Sequence, residues 1–226
     1  MTELILALDT PRAADALRLL DRLPALQWVK VGSILMTREG PDFVRQLAGR
    51  GLNVFLDLKW HDIPNTVAGA VSAAREMGVA MATLHTLGGS AMLEAAAVAS
   101  AGEVALVGVT VLTSHDAPGY ARTVGRGEVD LTPEVERLAL VAVKAGLQGV
   151  VCSPREVSVL RGRLGPDPLI VVPGIRRQSD PHGDQARVAS AKDAAANGAS
   201  HLVVGRPILQ AADPGLVFEE LMQEAQ

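Results

Sequence analysis

Eight short apolar runs, each followed by polar or glycine-rich residues and then a helix-like pattern, restrict this chain to a small set of folds. The runs are Leu4–Leu8, Trp28–Val31, Val54–Leu58, Ala82–His85, Ala105–Leu112, Gly149–Cys152, Leu169–Val172 and Leu202–Val204. Strand and helix signals alternate from one end to the other, which is the pattern of parallel βαβ units. Eight such units predict an α/β protein of the TIM (β/α)8 barrel type. A doubly wound open sheet is the alternative, but no Gly-x-Gly-x-x-Gly follows the first run to support a dinucleotide fold.

With 226 residues, of which 48% are apolar, the chain can bury a large core, and α/β barrels of this size are routinely one domain. No composition shift or linker divides it, so a single catalytic domain over residues 1–226 is expected. The first apolar run has no basic preface and stops at Asp9, too early for a signal peptide or a membrane span. A cytoplasmic protein without membrane association is expected. Cys152, the sole cysteine, allows no internal disulfide and no cysteine metal cluster. A net charge of −4 and 3% aromatic residues leave neither a basic face nor stacking platforms for nucleic acid. Any anionic ligand has to be held by local cations.

Barrel enzymes build their chemistry at the C-terminal ends of the strands. The residues standing there are selective: Asp9 after the first run, Lys30 closing the second, Asp57 and Lys59 ending the third. Thr113 follows the fifth, Pro173-Gly174-Ile175-Arg176 the seventh and Gly205-Arg206 the eighth. Alternation along a strand puts Asp57 and Lys59 on one face, with Leu56 and Leu58 on the other. Lys30 lies in an apolar strand, where an ammonium is costly unless paired; Asp9 and Asp57 are its expected partners, and a side chain that snorkels to the rim is the alternative. Ile63-Pro64-Asn65-Thr66 reads as a turn and helix start, with Pro in the first turn and Asn and Thr able to cap. Thr110 and Thr113 put hydroxyls at the exit of the fifth run, suited to hydrogen-bonding a neutral heterocycle. The polar stretch from Val172 to Gln185 is too long for an ordinary βα connection and reads as a lid. Arg176 and Gln185 bracket it and would clamp phosphate oxygens, joined by the strand exit and helix start at Gly205-Arg206.

Other candidates carry less. No pair of the five histidines has metal-ligand spacing with an acidic neighbour, so no metal site is expected. His61 should point away from Lys59 by alternation, and His85 reads as a hydrogen-bonded rim residue. Cys152 reads as core. Tyr120 and the Gly125-Arg126-Gly127 stretch read as loop.

An isolated Asp-x-Lys is ordinarily a surface ion pair. Here, however, Asp57-x-Lys59-x-x-Asp62-Ile63-Pro64-Asn65-Thr66 resembles the signature of orotidine 5′-monophosphate decarboxylases, and the likeness extends over nearly the whole chain. The Pro-Gly-Ile-Arg and Val-Gly-Arg-Pro-Ile segments, in barrel order, resemble that family's phosphate site. The resemblance implies a cofactor-free lyase that converts orotidine 5′-monophosphate to uridine 5′-monophosphate and CO2. It implies catalysis by a charge array of Lys30, Asp57, Lys59 and Asp62, with Lys59 as proton donor. Substrate contacts are implied at Asp9, Lys30, Asp57, Thr66, Thr113, Pro173, Arg176, Gln185, Gly205 and Arg206, with Thr113 as the pyrimidine contact and Thr110 left to the core. It also implies a homodimer in which Asp62 and Thr66 reach into the partner's site.

Three rivals differ in chemistry. Sugar-phosphate decarboxylases and synthases of related barrels share the Asp-x-Lys-x-x-Asp pattern but use Mg²⁺ and an acidic residue where this chain has Lys30. A Schiff-base aldolase needs a neutral amine, which flanking carboxylates oppose. A barrel that only binds nucleotide phosphate has no use for the charge array.

Overall fold

The computed structural model describes residues 2–177, 180 and 189–226. Eight parallel strands close into a barrel in sequence order, and β8 pairs with β1. They are β1 (Glu3–Ala7), β2 (Trp28–Gly32), β3 (Asn53–Trp60), β4 (Val79–His85), β5 (Ala105–Val109), β6 (Gly149–Val151), β7 (Leu169–Pro173) and β8 (His201–Val204). All eight runs expected from the sequence form strands. The fifth stops at Val109 rather than Leu112, so Thr110 to Ser114 belong to the exit segment.

Helices wrap the barrel: α1 (Ala13–Leu20), α2 (Ser33–Gly49), α3 (Pro64–Glu76), α4 (Ser90–Ser100), α5 (Ala117–Thr123) and α6 (Leu131–Lys144). They continue as α7 (Val157–Leu164), α8 (Ala191–Ala196), the single turn α9 (Arg206–Leu209) and α10 (Pro214–Glu224). Among the described residues no helix is long and apolar enough to cross a membrane.

Strands covered on both faces read as continuous apolar runs, and the two faces separate two cores. Ile5, Ala7, Phe55, Met81, Val107, Val171 and Val203 fill the barrel interior. Leu4, Leu6, Val29, Val31, Leu56, Ala82 and Leu202 turn outward and pack with Val44, Val71 and Leu138 of the helices. At Gly149 the neighbouring strand passes so close that an added Cβ would lie 2.1 Å from the Leu169 carbonyl oxygen, so this strand start admits only glycine. α2 kinks at Gly40, where φ is 71° ahead of Pro41, because proline cannot continue the helical hydrogen-bond ladder.

One departure from regular pairing shapes the site. β3 and β4 are in register at Leu56↔Ala82 and again at Trp60↔Leu84. Three β3 residues, Asp57, Leu58 and Lys59, therefore stand opposite the single β4 residue Thr83. Bulges of this kind re-aim side chains and are common beside active sites.

Candidate active site

The C-terminal mouth opens into a cavity of about 770 Å³, within the range of small-molecule sites. Its wall includes Asp9, Lys30, Asp57, Lys59, Thr113, Pro173, Gly174, Arg176, Gly205 and Arg206. Residues from six strand exits, far apart in sequence, thus meet as expected.

On the β1–β3 side the charges form a chain. Lys30 Nζ lies 3.2 Å from Asp9 Oδ1 and 3.5 Å from Asp57 Oδ2, and Lys59 Nζ lies 2.8 Å from Asp57 Oδ1. The Lys30 and Asp57 side chains are only 12% and 14% exposed. Desolvation by itself pushes the Asp57 carboxyl up. The Coulombic attraction of Lys30 and Lys59, with hydrogen bonds from Lys59 and Thr83, outweighs it and holds the group below the usual carboxylate range.

Asp57 and Lys59 do share a face, but plain alternation is not the cause. Lys59 has φ 53°, in the left-handed region that costs a residue with a Cβ about 1–3 kcal/mol. The bulge supplies the compensation. Lys59 N–H donates to Thr83 Oγ1 at 2.8 Å, and Thr83 Oγ1 donates to Asp57 Oδ1 at 3.1 Å. The buried Thr83 was not singled out from the sequence. Its signal was present in the period-2 pattern of β4, which turns Met81, Thr83 and His85 inward together.

Asp62 stands outside this chain of charges. Its carboxylate accepts the Ile63 N–H at 2.6 Å, and residues 61–66 are all exposed. α3 begins at Pro64 with Ile63 as N-cap and no side-chain cap, so neither Asn65 nor Thr66 caps it. Asp62 and Thr66 are left facing outward.

At the exits of β7 and β8, Arg176 is buried and Arg206 half-buried. Arg176 Nη1 donates to the Ile175 carbonyl at 2.7 Å. Gly174, at φ 87°, makes the left-handed turn that brings Arg176 from the end of β7 into the wall. Arg176 N–H donates to the Ala189 carbonyl at 3.0 Å, which joins the exit of β7 to the residues just ahead of α8. Gln185, with residues 178, 179 and 181–184 of the expected lid, lies outside the described residues. α9 starts at Arg206 with Gly205 as its N-cap.

The remaining expectations divide. Thr110 is fully buried with Oγ1 donating to the Val151 carbonyl at 2.9 Å, and Thr113 reaches the cavity wall. Cys152 is buried yet also lines the cavity. Tyr120 is not loop: it lies in α5, 2% exposed, and its hydroxyl donates to Glu134 Oε1 at 3.0 Å. Burial, then the bond to Glu134, pushes its phenol up to about 12. Arg126 and Arg137 pair with the same carboxylate at 3.3 and 2.8 Å, which ties α5 and the residues after it to α6. His85 is not hydrogen-bonded through Nδ1, which is buried with no partner among the described residues. Its ring sits 5.6 Å from that of His61. Burial, then His61 and Lys59, pushes the His85 imidazole below its ordinary value. Among the described residues no group of three or more His, Cys, Asp or Glu could hold a metal ion.

A barrel whose mouth gathers alternating carboxylates and ammoniums, the inner two largely withdrawn from water, with two arginines in the same wall, is an enzyme scaffold suited to a small anionic ligand. Residues 2–221 match the Orotidine 5′-phosphate decarboxylase / HUMPS family. The chain is 50% identical over 229 residues to the orotidine 5′-phosphate decarboxylase of Halorhodospira halophila, covering 98% of this chain and 94% of that protein. It is 46% identical over 228 residues to that of Opitutus terrae, covering 98% and 97%. The crystal structure of orotidine 5′-phosphate decarboxylase from Lactobacillus acidophilus superposes with a TM-score of 0.88 at 36% identity, over 100% of both chains. The chain belongs to the Orotidine 5′-phosphate decarboxylase / HUMPS family.

Proposed function

We propose that this protein decarboxylates orotidine 5′-monophosphate to uridine 5′-monophosphate and CO2, the last step of de novo pyrimidine nucleotide synthesis. The observation that carries the reading is the Asp9–Lys30–Asp57–Lys59 chain of charges lining one cavity together with Arg176 and Arg206. When the bond from C6 to the carboxylate breaks, its electron pair stays on C6 in the ring plane, where the π-system cannot delocalise it. Enzymes lower barriers by about 8–23 kcal/mol, and one preorganised donor supplies about 3–4 kcal/mol. One lysine is therefore insufficient, and the assignment distributes the task.

The Lys59 ammonium stabilises the developing C6 anion and then donates its proton there. Asp57 and Lys30 hold that ammonium in place, and Asp57 stands against the departing carboxylate. Asp9 and Lys30 contact the substrate from the same side, while Thr113 bonds the pyrimidine. Arg176, Arg206, Pro173 and Gly205, with Gln185, surround the phosphate, and binding energy gathered there orients the reacting end. No cofactor takes part.

Asp62 and Thr66 act in trans within a homodimer, a reading supported by their exposure and by the local bond of Asp62 to the Ile63 N–H. Mixing Asp57→Ala with Asp62→Ala chains should then recover activity in one of the two hybrid sites; no recovery would place each site within one chain. The proposal covers one catalytic domain, residues 1–226, in the cytoplasm, where the free thiol of Cys152 fits a reducing compartment.

Loss of the ultraviolet absorbance of orotidine 5′-monophosphate on adding enzyme tests the function directly. Unchanged turnover in EDTA is expected, since Lys30 occupies the place where the Mg²⁺-dependent relatives carry an acidic residue. Absence of turnover would remove the proposal.

A further inference from the structure

We infer that Thr83 is a positioning residue for the reacting lysine: its buried hydroxyl locks the Lys59 backbone and the Asp57 carboxylate into one unit. The inference rests on the decarboxylase reading and adds to it a residue that does not touch substrate.

The bulge creates the need. Between Leu56↔Ala82 and Trp60↔Leu84 the parallel ladder is interrupted, so the Lys59 N–H loses its strand partner where the backbone turns left-handed, at φ 53°. An inward N–H without a partner is unfavourable. Thr83, fully buried on the strand opposite, supplies the missing acceptor at 2.8 Å.

A hydroxyl has a single proton, and Thr83 directs its own to Asp57 Oδ1 at 3.1 Å. That same oxygen receives Lys59 Nζ at 2.8 Å. One hydroxyl thus closes a ring that joins both ends of Lys59, its backbone N–H and its ammonium, through Asp57. The charged groups facing Asp57 are Lys30 and Lys59, with Asp9 beyond Lys30; Thr83 is the neutral member. Without the hydroxyl, Lys59 is free to leave the left-handed conformation, and its Nζ moves off the line to the reacting carbon. Small displacements of a reacting group have large effects on rate.

The test compares Thr83→Val, which keeps shape and loses the oxygen, with Thr83→Ser, which keeps the oxygen. Thr83→Val should lower kcat by about 10- to 100-fold with little change in KM. The acid limb of its kcat/KM profile should move to higher pH, because Asp57 loses a donor to its charged form. Thr83→Ser should stay within about three-fold of wild type in kcat. Crystal structures of the two variants give a readout that needs no turnover: Lys59 should leave positive φ in Thr83→Val and keep it in Thr83→Ser. Equal kcat in the two variants, or an unchanged Lys59 backbone in Thr83→Val, would overturn the inference. If Thr83→Val does not fold, Thr83→Ala takes its place against Thr83→Ser, since these differ only by the oxygen. Wild-type failure to turn over orotidine 5′-monophosphate would remove the functional reading alone, as the backbone result stands apart from it.

Discussion

At the N-terminal mouth of the barrel His201 packs edge-on against Trp28, ring centroids 5.1 Å apart, and burial pushes its imidazole down to about 4. At the C-terminal mouth Asp57 is also withdrawn from water, yet it is held ionised. The difference lies in the neighbours. The described polar partner of the His201 ring is the neutral Ser200 hydroxyl at 3.0 Å, so losing its charge is the least costly response to burial. Asp57 has two ammoniums and a hydroxyl, so keeping its charge is. The arginines divide in the same way. Near the N-terminal end, Arg161 bonds the carbonyls of Gly165, Pro166, Pro168 and Gly198 at 2.7 to 3.0 Å, closing the chain around the start of β7. At the other end Arg176 and Arg206 line the cavity. One end is neutralised and tied shut, which is a stabilising arrangement; the other keeps its charge, which is a reactive one.

Substitutions at the two ends should therefore separate activity from stability. The largest effect is expected for Lys59→Ala. Its kcat should fall by at least about 1,000-fold, the upper range for loss of one preorganised donor, while thermal denaturation shows a Tm within a few degrees of wild type. A residual rate within ten-fold of wild type would remove Lys59 from the chemistry. Arg206→Ala should come next, lowering kcat/KM by about 100-fold or more through lost phosphate binding, again without large change in Tm. Retention of kcat/KM within a few-fold would displace the phosphate from the β8 exit.

The smallest expected effect belongs to the N-terminal mouth and concerns pH rather than rate. His201 has a folded-state pKa below its unfolded value of 6.5, pushed by burial to about 4, so between these values the unfolded chain binds more protons. Its neutral form thus favours folding fully above pH 6.5, and that contribution is lost as pH falls toward 4, up to on the order of 3 kcal/mol. Asp57 acts in a lower window: its carboxyl is depressed, so its contribution persists above the usual carboxylate range and is lost as pH falls below it. Urea denaturation at pH 7 and pH 4.5 should show a smaller pH dependence in His201→Leu than in wild type, with kcat at pH 7 unchanged. An equal pH dependence would mean that His201 is solvated in the folded protein.

Much of this arrangement is legible without coordinates, for reasons that differ from residue to residue. Asp9, Lys30, Asp57 and Arg206 could be placed because a parallel barrel delivers every strand's last residues to one mouth, so position along a strand suffices. Thr83 and Tyr120 could not. A threonine in a strand and a tyrosine in a polar stretch gain meaning only from what stands opposite, namely the bulged β3 backbone in one case and Glu134 in the other. Alternation reached the right face for Asp57 and Lys59 by a path the chain does not follow, since the left-handed turn at Lys59 intervenes.

The number and order of the βα units, and the charges that gather at the C-terminal mouth, follow from the order of residues alone, because hydrophobic periodicity and strand order are local properties. Only the tertiary structure decided that Lys59 sits in a left-handed bulge, that one β4 hydroxyl holds it there, and that His201 is neutral where Asp57 is charged. Each of these depends on partners brought near by barrel closure, and burial shifts a charge one way or the other according to those partners.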